Sequence, residues 1–193
     1  MDKKMGLLII LSGPSGVGKG TIREELFKDQ NLNLVYSISM TTRKPRSNEL
    51  NEKDYFFVNE NVFQEKIANN ELLEYAKFVD NYYGTPEKYV DKLLSQGKNV
   101  VLEIEVQGAL QVLAKRPDAI SFFVLPPSFE ELTRRIIARR SEPEDIVQKR
   151  LLKAKGEMNI TSKYKYVIVN DNLQQTVSEI KTIIMNEINA NKN

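Results

Sequence analysis

The 193-residue chain contains no cysteine and no histidine. Without thiols there is no disulfide and no thiolate metal site, which suits a reducing compartment such as the cytoplasm. Without imidazole, histidine-based triads, histidine acid–base relays and the commonest metal ligand are all excluded. Long apolar runs are missing too. The N-terminal run Gly6-Leu7-Leu8-Ile9-Ile10-Leu11 is too short to span a bilayer, and the Gly13-Pro14-Ser15-Gly16 after it reads as a loop rather than a cleavage site. Neither sign of charge dominates: 28 basic residues face 26 acidic ones, for a net charge of +2. With no global field and no basic stripe interleaved with aromatics, a nucleic-acid role finds no support, and neither does a membrane one. There is no internal repeat and no low-complexity tract. The 41% apolar and 28% charged composition is that of an ordinary globular domain, large enough to bury a real core.

What the chain does have is a glycine-rich loop in a telling place. Gly13-Pro14-Ser15-Gly16-Val17-Gly18-Lys19-Gly20-Thr21 follows an apolar run and precedes a charged, helix-like stretch. Strand, glycine loop, helix is the order in which a phosphate-binding loop works. The glycines let backbone N–H groups wrap a phosphate, the helix N-terminus adds a partial positive charge, and Lys19 adds a full one. A bare turn between strand and helix explains the glycines but not the lysine. A nucleoside triphosphate is therefore the expected ligand. One position departs from the common pattern: Gly20 stands where Ser or Thr usually offers a hydroxyl to Mg²⁺. Mg²⁺ is then expected through ATP phosphates and water, with no direct protein ligand assigned and a carboxylate such as Glu103 behind a water.

Short, nearly continuous apolar runs recur over residues 7–11, 99–104, 119–125 and 166–169, as expected for strands covered on both faces. Helix-period stretches lie over 21–29, 86–96, 108–115, 128–139 and 173–189. Ser128 is placed to cap its helix, with Glu130 and Glu131 in the first turn. This alternation predicts an α/β fold with a parallel sheet. The interval 34–85 reads differently, with strands over 36–42, 55–58 and 73–79 and a short helix over 62–70. It predicts an α+β lobe inserted into the core. A charged, mostly helical segment over 139–164, with its main helix opening at Glu142-Pro143-Glu144, predicts a third part.

Arginine is the minor cation, with nine of the 28 basic residues, yet seven arginines fall in two places. Arg43 and Arg46 flank Pro45 in the loop of the inserted lobe; Arg134, Arg135, Arg139, Arg140 and Arg150 mark the helical segment. A guanidinium grips phosphate oxygens in pairs, which an ammonium does not. A solvated helix face accounts equally well for Arg134 and Arg140. Two arginine clusters and a phosphate loop imply two phosphorylated ligands meeting face to face. Phosphoryl transfer onto a phosphate acceptor needs alignment, charge neutralisation and exclusion of water, but no general base, so the missing histidines cost it nothing.

The segments Gly13–Thr21, Ser37–Arg46, Asp54-Tyr55-Phe56-Phe57, Asn81-Tyr82-Tyr83-Gly84-Thr85, Leu102–Gly108 and Val167–Asp171 together resemble guanylate kinase, in that family's order and over nearly the whole chain. The resemblance implies a P-loop NTPase-like three-layer core with a parallel sheet (about 1–34, 86–126 and 165–193), a GMP-binding lobe (about 35–85) and a helical lid (about 127–164). It implies phosphoryl transfer from MgATP to GMP, and to dGMP. By position, Gly13, Pro14, Ser15, Gly16, Val17, Gly18, Lys19, Gly20 and Thr21 hold ATP phosphates, with Asn170 near the adenine. Arg43, Arg46, Tyr55 and Tyr83 hold the GMP phosphate; Ser39, Glu74, Thr85 and Glu105 line the guanine pocket. Arg135, Arg139 and Arg150 close from the lid, and with Lys19 and Arg43 are the candidate catalytic residues.

Chemistry supports Glu74: a carboxylate accepts from the adjacent N1–H and 2-amino group of guanine, whereas adenine leaves it unpaired, a difference worth about 10⁴ or more. An ordinary strand carboxylate is the alternative for Glu74, and lobe-core packing the alternative for Tyr55 and Tyr83. The chain departs from the family at Glu52, where Gly is frequent, and at Glu105, where Asp is usual. A non-catalytic, phosphopeptide-binding scaffold module shares the fold; retention of Lys19, the lid arginines and Asn170 argues for the enzyme.

Overall fold

The computed structural model describes residues 4–78, 80–138 and 144–191. Five strands form an all-parallel sheet: β1 Leu8–Ser12, β2 Leu34–Tyr36, β7 Asn99–Glu103, β8 Ile120–Leu125 and β9 Tyr166–Val169, in the spatial order β2-β7-β1-β8-β9. Alternation along β1 explains the layers. Ile9 and Leu11 enter one apolar cluster, while Leu8 and Ile10 enter another on the opposite face. With both faces covered the strand reads as an unbroken apolar run.

The first cluster packs the sheet against α1 Lys19–Phe27, α5 Phe129–Ala138, α6 Glu144–Glu157 and α7 Leu173–Ala190, through Ile22, Leu132, Leu151 and Ile180. The second packs it against α3 Glu87–Ser95 and α4 Val106–Lys115, through Val90, Leu94, Ala109 and Val112. Helix starts follow the capping chemistry. The Ser128 hydroxyl accepts from the Glu131 N–H at 3.1 Å, as expected, and Asn172 Oδ1 accepts from the Gln175 N–H at the same distance.

The inserted lobe carries a four-stranded sheet in the order β4-β3-β6-β5, from β3 Met40–Thr41, β4 Phe56–Phe57, β5 Leu72–Phe78 and β6 Asn81–Pro86, with α2 Glu60–Ala68 against it. Its small core is Met40, Phe63 and Leu72. Two expectations need correcting. The single strand over 36–42 is divided: β2 is the edge of the core sheet, and β3 belongs to the lobe. Between them the chain leaves one sheet for the other. The second correction is β6, for which no strand was expected; it pairs antiparallel with both β3 and β5 and so sits inside the lobe sheet. Asn81, Gly84 and Pro86 are poor strand formers, and here pairing on both sides overrides propensity.

Candidate active site

β1 runs directly into the loop, and the loop turns into α1. Gly18 occupies the N-cap of α1 at φ 100°, with no side-chain cap and no acidic residue in the first turn. Most side chains are strained in that backbone conformation, and a Cβ there would also stand 2.8 Å from Asn170 Nδ2. The N–H groups of the first turn are thus left for an external acceptor, which is the chemistry of an anion site. Lys19 folds back over the loop: its Nζ donates to the Gly13 carbonyl at 2.6 Å and to the Pro14 carbonyl at 3.0 Å.

A cavity of about 380 Å³ is lined by Ser15, Gly16, Gly18, Lys19, Gly20, Thr21, Glu24 and Glu103. Arg23 on α1 holds Glu103 at 3.4 Å. A second cavity, of about 410 Å³, lies between Gly16 and Thr21 of the loop and Arg135, Asn170 and Asp171. Asn170 is buried at its edge, where its Nδ2 donates to the Val17 carbonyl at 2.9 Å and its own carbonyl accepts from Arg135 Nη1 at 3.2 Å. Asn170 therefore props the loop as well as facing this cavity. Arg135 is further tied to Glu131 at 2.7 Å. Arg134 and then Arg135, beside Glu131, hold its carboxyl down at about 2. From α6, Arg150 Nη2 donates to the Ser15 hydroxyl at 2.7 Å, joining the helical segment to the loop. Arg139 lies outside the described residues.

The second cluster forms in the lobe. Thr41 is fully buried; its hydroxyl donates to the Tyr82 carbonyl at 2.9 Å and accepts from the Arg43 N–H at 3.2 Å, which fixes the start of the arginine loop. The Arg43 guanidinium lies 5.4 Å from the Tyr55 ring centre, and the Tyr55 and Tyr83 rings meet edge-on at 6.2 Å. Sequence reasoning missed Glu49. It accepts from Arg43 Nη1 at 2.9 Å and Nη2 at 2.8 Å, and from the Arg46 N–H at 2.8 Å. Those bonds hold its carboxyl at about 2. The Arg46 side chain itself stands exposed. Glu52, before Tyr55, adopts φ 64°, the left-handed conformation that glycine takes without strain.

Glu74 is 7% exposed and Thr85 1% exposed, and the Thr85 hydroxyl donates to Glu74 Oε1 at 2.6 Å. Burial raises the Glu74 carboxyl to about 7, with the negative charge of Glu105 adding to the rise and the Thr85 bond opposing it. A buried acceptor with an unspent oxygen is poised for N–H donors. Gly108 on α4, another residue missed, makes the space: a Cβ there would lie 2.8 Å from Glu74 Oε2. Its signal was a glycine inside a helix, which normally costs about 1 kcal/mol against alanine. Ser39 is half-buried, and its carbonyl accepts from the Phe56 N–H at 2.9 Å beside β4. Glu105 stands at the start of α4, and its Oε2 accepts from Lys153 Nζ of α6 at 2.5 Å. The expected residues thus fall into three groups: the loop with Lys19, Asn170, Arg135 and Arg150; Arg43 with Tyr55 and Tyr83; and Glu74 with Thr85 near Glu105.

Known proteins are similar to this chain in both sequence and fold. The family profile described as Guanylate kinase matches residues 5–187. The guanylate kinase of Bacillus anthracis is 51% identical over 187 residues, covering 97% of this chain and 91% of the relative. That of Bacillus subtilis (strain 168) is 49% identical over 185 residues, covering 96% and 91%. The crystal structure of guanylate kinase from Anaplasma phagocytophilum superposes with a TM-score of 0.71 at 34% identity, over 96% of this chain and 87% of that one.

Proposed function

The chain belongs to the guanylate kinase family, and from that premise we propose that it transfers the γ-phosphoryl group of ATP to GMP, giving ADP and GDP, with dGMP as a further acceptor. The observation that carries the reading is the buried Glu74–Thr85 pair, held in the same chain as an uncapped phosphate loop. A buried carboxylate accepts the paired N–H donors of guanine and rejects a base that lacks them.

In this reading the loop amides and Lys19 hold the ATP phosphates, with Asn170 bracing the loop. Arg43, Arg46, Tyr55 and Tyr83 take the GMP phosphate, and Ser39 and Glu105 complete the guanine pocket around Glu74 and Thr85. Arg135, Arg139 and Arg150 act from the lid, neutralising charge on the group in flight. The attacking oxygen is a phosphate oxygen, already ionised, so no side chain has to remove a proton. Closure of core, lobe and lid keeps water from intercepting the phosphoryl group.

A hydrated divalent cation fits the loop. Among the described residues no three acidic side chains are placed to hold a metal ion together, and Gly20 offers no hydroxyl, but Glu24 and Glu103 face the loop cavity. Mg²⁺ keeps several waters and needs only one or two carboxylates besides phosphate oxygens. Bound there with ATP, it supplies neutralisation of phosphate charge. No helix among the described residues is long and apolar enough to cross a membrane; a cytoplasmic place in purine nucleotide metabolism, recycling GMP, suits the reaction.

The test is product analysis. With MgATP and GMP, anion-exchange chromatography should resolve ADP and GDP rising in equal amounts. ADP without GDP would make the chain an ATPase and overturn the assignment.

A further inference from the structure

One face of α6 touches both halves of the site. Arg150 donates to Ser15 of the donor loop, and Lys153, three residues on, donates to Glu105 beside the guanine pocket. Residues three apart share a helix face about 4.5 Å along the axis. Leu151 and Ala154 are buried in the first core cluster, so apolar packing independently sets where this helix lies.

Glu105 lies close enough to Glu74 for the two carboxylates to repel. Among the described residues the charged groups around Glu105 are Glu74 from β5 and, from α6, Lys153 at 2.5 Å, with Glu157 3.7 Å from Lys153; Lys19 and Tyr164 face Glu157 in turn. Lys153 thus stands between Glu105 and Glu157 where the lid helix meets the pocket, with Glu74 beyond Glu105. The Lys153 ammonium meets Glu105 through Oε2, leaving Oε1 and further lone pairs on the carboxylate as acceptors. Guanine therefore does not have to displace the lysine.

We propose that Lys153 is a positioning residue for the acceptor base: from the lid helix it aims Glu105 and offsets its charge beside Glu74, so that docking of α6 and binding of GMP support one another. The inference rests on the reading of Glu74 and Glu105 as guanine-pocket residues. Arg150 serves the donor loop from the same face, so α6 joins the two nucleotide sites.

The experiment is a double-mutant cycle read by calorimetry of GMP and, separately, of ATP. Lys153 is more than half exposed, so its variants should fold. Lys153→Met is expected to weaken GMP about fivefold to tenfold, the scale of one well-placed charge pair, and to leave ATP within about twofold. Lys153→Arg should restore GMP affinity. In a Glu105→Gln background, Lys153→Met should cost nothing further. Unchanged or tighter GMP binding in Lys153→Met would overturn the proposal, as would equal weakening of GMP and ATP or an undiminished effect in Glu105→Gln. Glu74→Gln separates the two levels. If that change spares GMP affinity, the pocket reading itself fails; if it abolishes affinity while Lys153→Met leaves GMP affinity unchanged, only the role of Lys153 fails.

Discussion

Glu74→Gln should gain stability relative to wild type as pH rises, while binding GMP far more weakly. The Glu74 carboxyl titrates at about 7 in the folded chain against 4.5 as its ordinary value, chiefly because it is buried. The folded state therefore binds this proton more tightly than the unfolded state. Its contribution to stability is full below pH 4.5 and is lost as pH rises through 7. Integrated between about pH 5 and pH 8.5, the loss is about 2–3 kcal/mol. Glutamine has no such proton, so the stability of the variant minus that of wild type should rise by that amount across the interval. Any constant gain or loss from the amide cancels in the comparison. Urea unfolding at the two pH values measures it directly, and melting should follow by roughly 5–10 °C. A stability difference that is the same at both ends of the interval would refute the reasoning. GMP should bind roughly 10²–10⁴-fold more weakly to the variant, since two bonds to a charged acceptor are compromised at about 1.5–3 kcal/mol each.

Other expectations follow from the same geometry. Lys19→Ala should lower kcat by roughly 10² or more with little change in melting temperature, and near-normal turnover would contradict its place on the phosphates. Gly108→Ala, favourable by helix propensity alone, should instead destabilise the protein and weaken GMP, because its Cβ meets Glu74 Oε2 at 2.8 Å; a thermal melt and a GMP titration decide. Glu52→Gly should stabilise by about 1 kcal/mol through relief of its left-handed backbone, seen as a higher urea midpoint at unchanged slope.

The sequence made some parts of this molecule legible and hid others for identifiable reasons. β1, β7 and β8 are buried on both faces, so each appears as a short apolar run within a residue or so of its true ends; β9 shows the same apolar run, but as an edge strand it leaves Val167 and Val169 exposed on one face, against the expectation of cover on both. The phosphate loop was legible because strand, glycines and lysine are contiguous. β2 and β6 were not: the first is three half-exposed residues at a sheet edge, and the second is held by its neighbours against its own propensity. Partners distant in the chain or lying in loops were equally hidden. Nothing local to Arg43 announces Glu49 as its clamp, and nothing near Glu105 announces Lys153, 48 residues away. Glu74 was legible as a base-recognising carboxylate only by position in a family pattern; its burial, and the space Gly108 gives it, are tertiary facts.

The central claim is that a buried carboxylate selects guanine as phosphoryl acceptor. The most direct measurement is kcat/KM for ADP release from MgATP with GMP, AMP, CMP, UMP and dTMP offered separately. The account predicts turnover with GMP and, for AMP, a value lower by about 10⁴ or more. Comparable turnover with AMP or a pyrimidine nucleotide would keep the phosphoryl transfer and contradict the role given to Glu74.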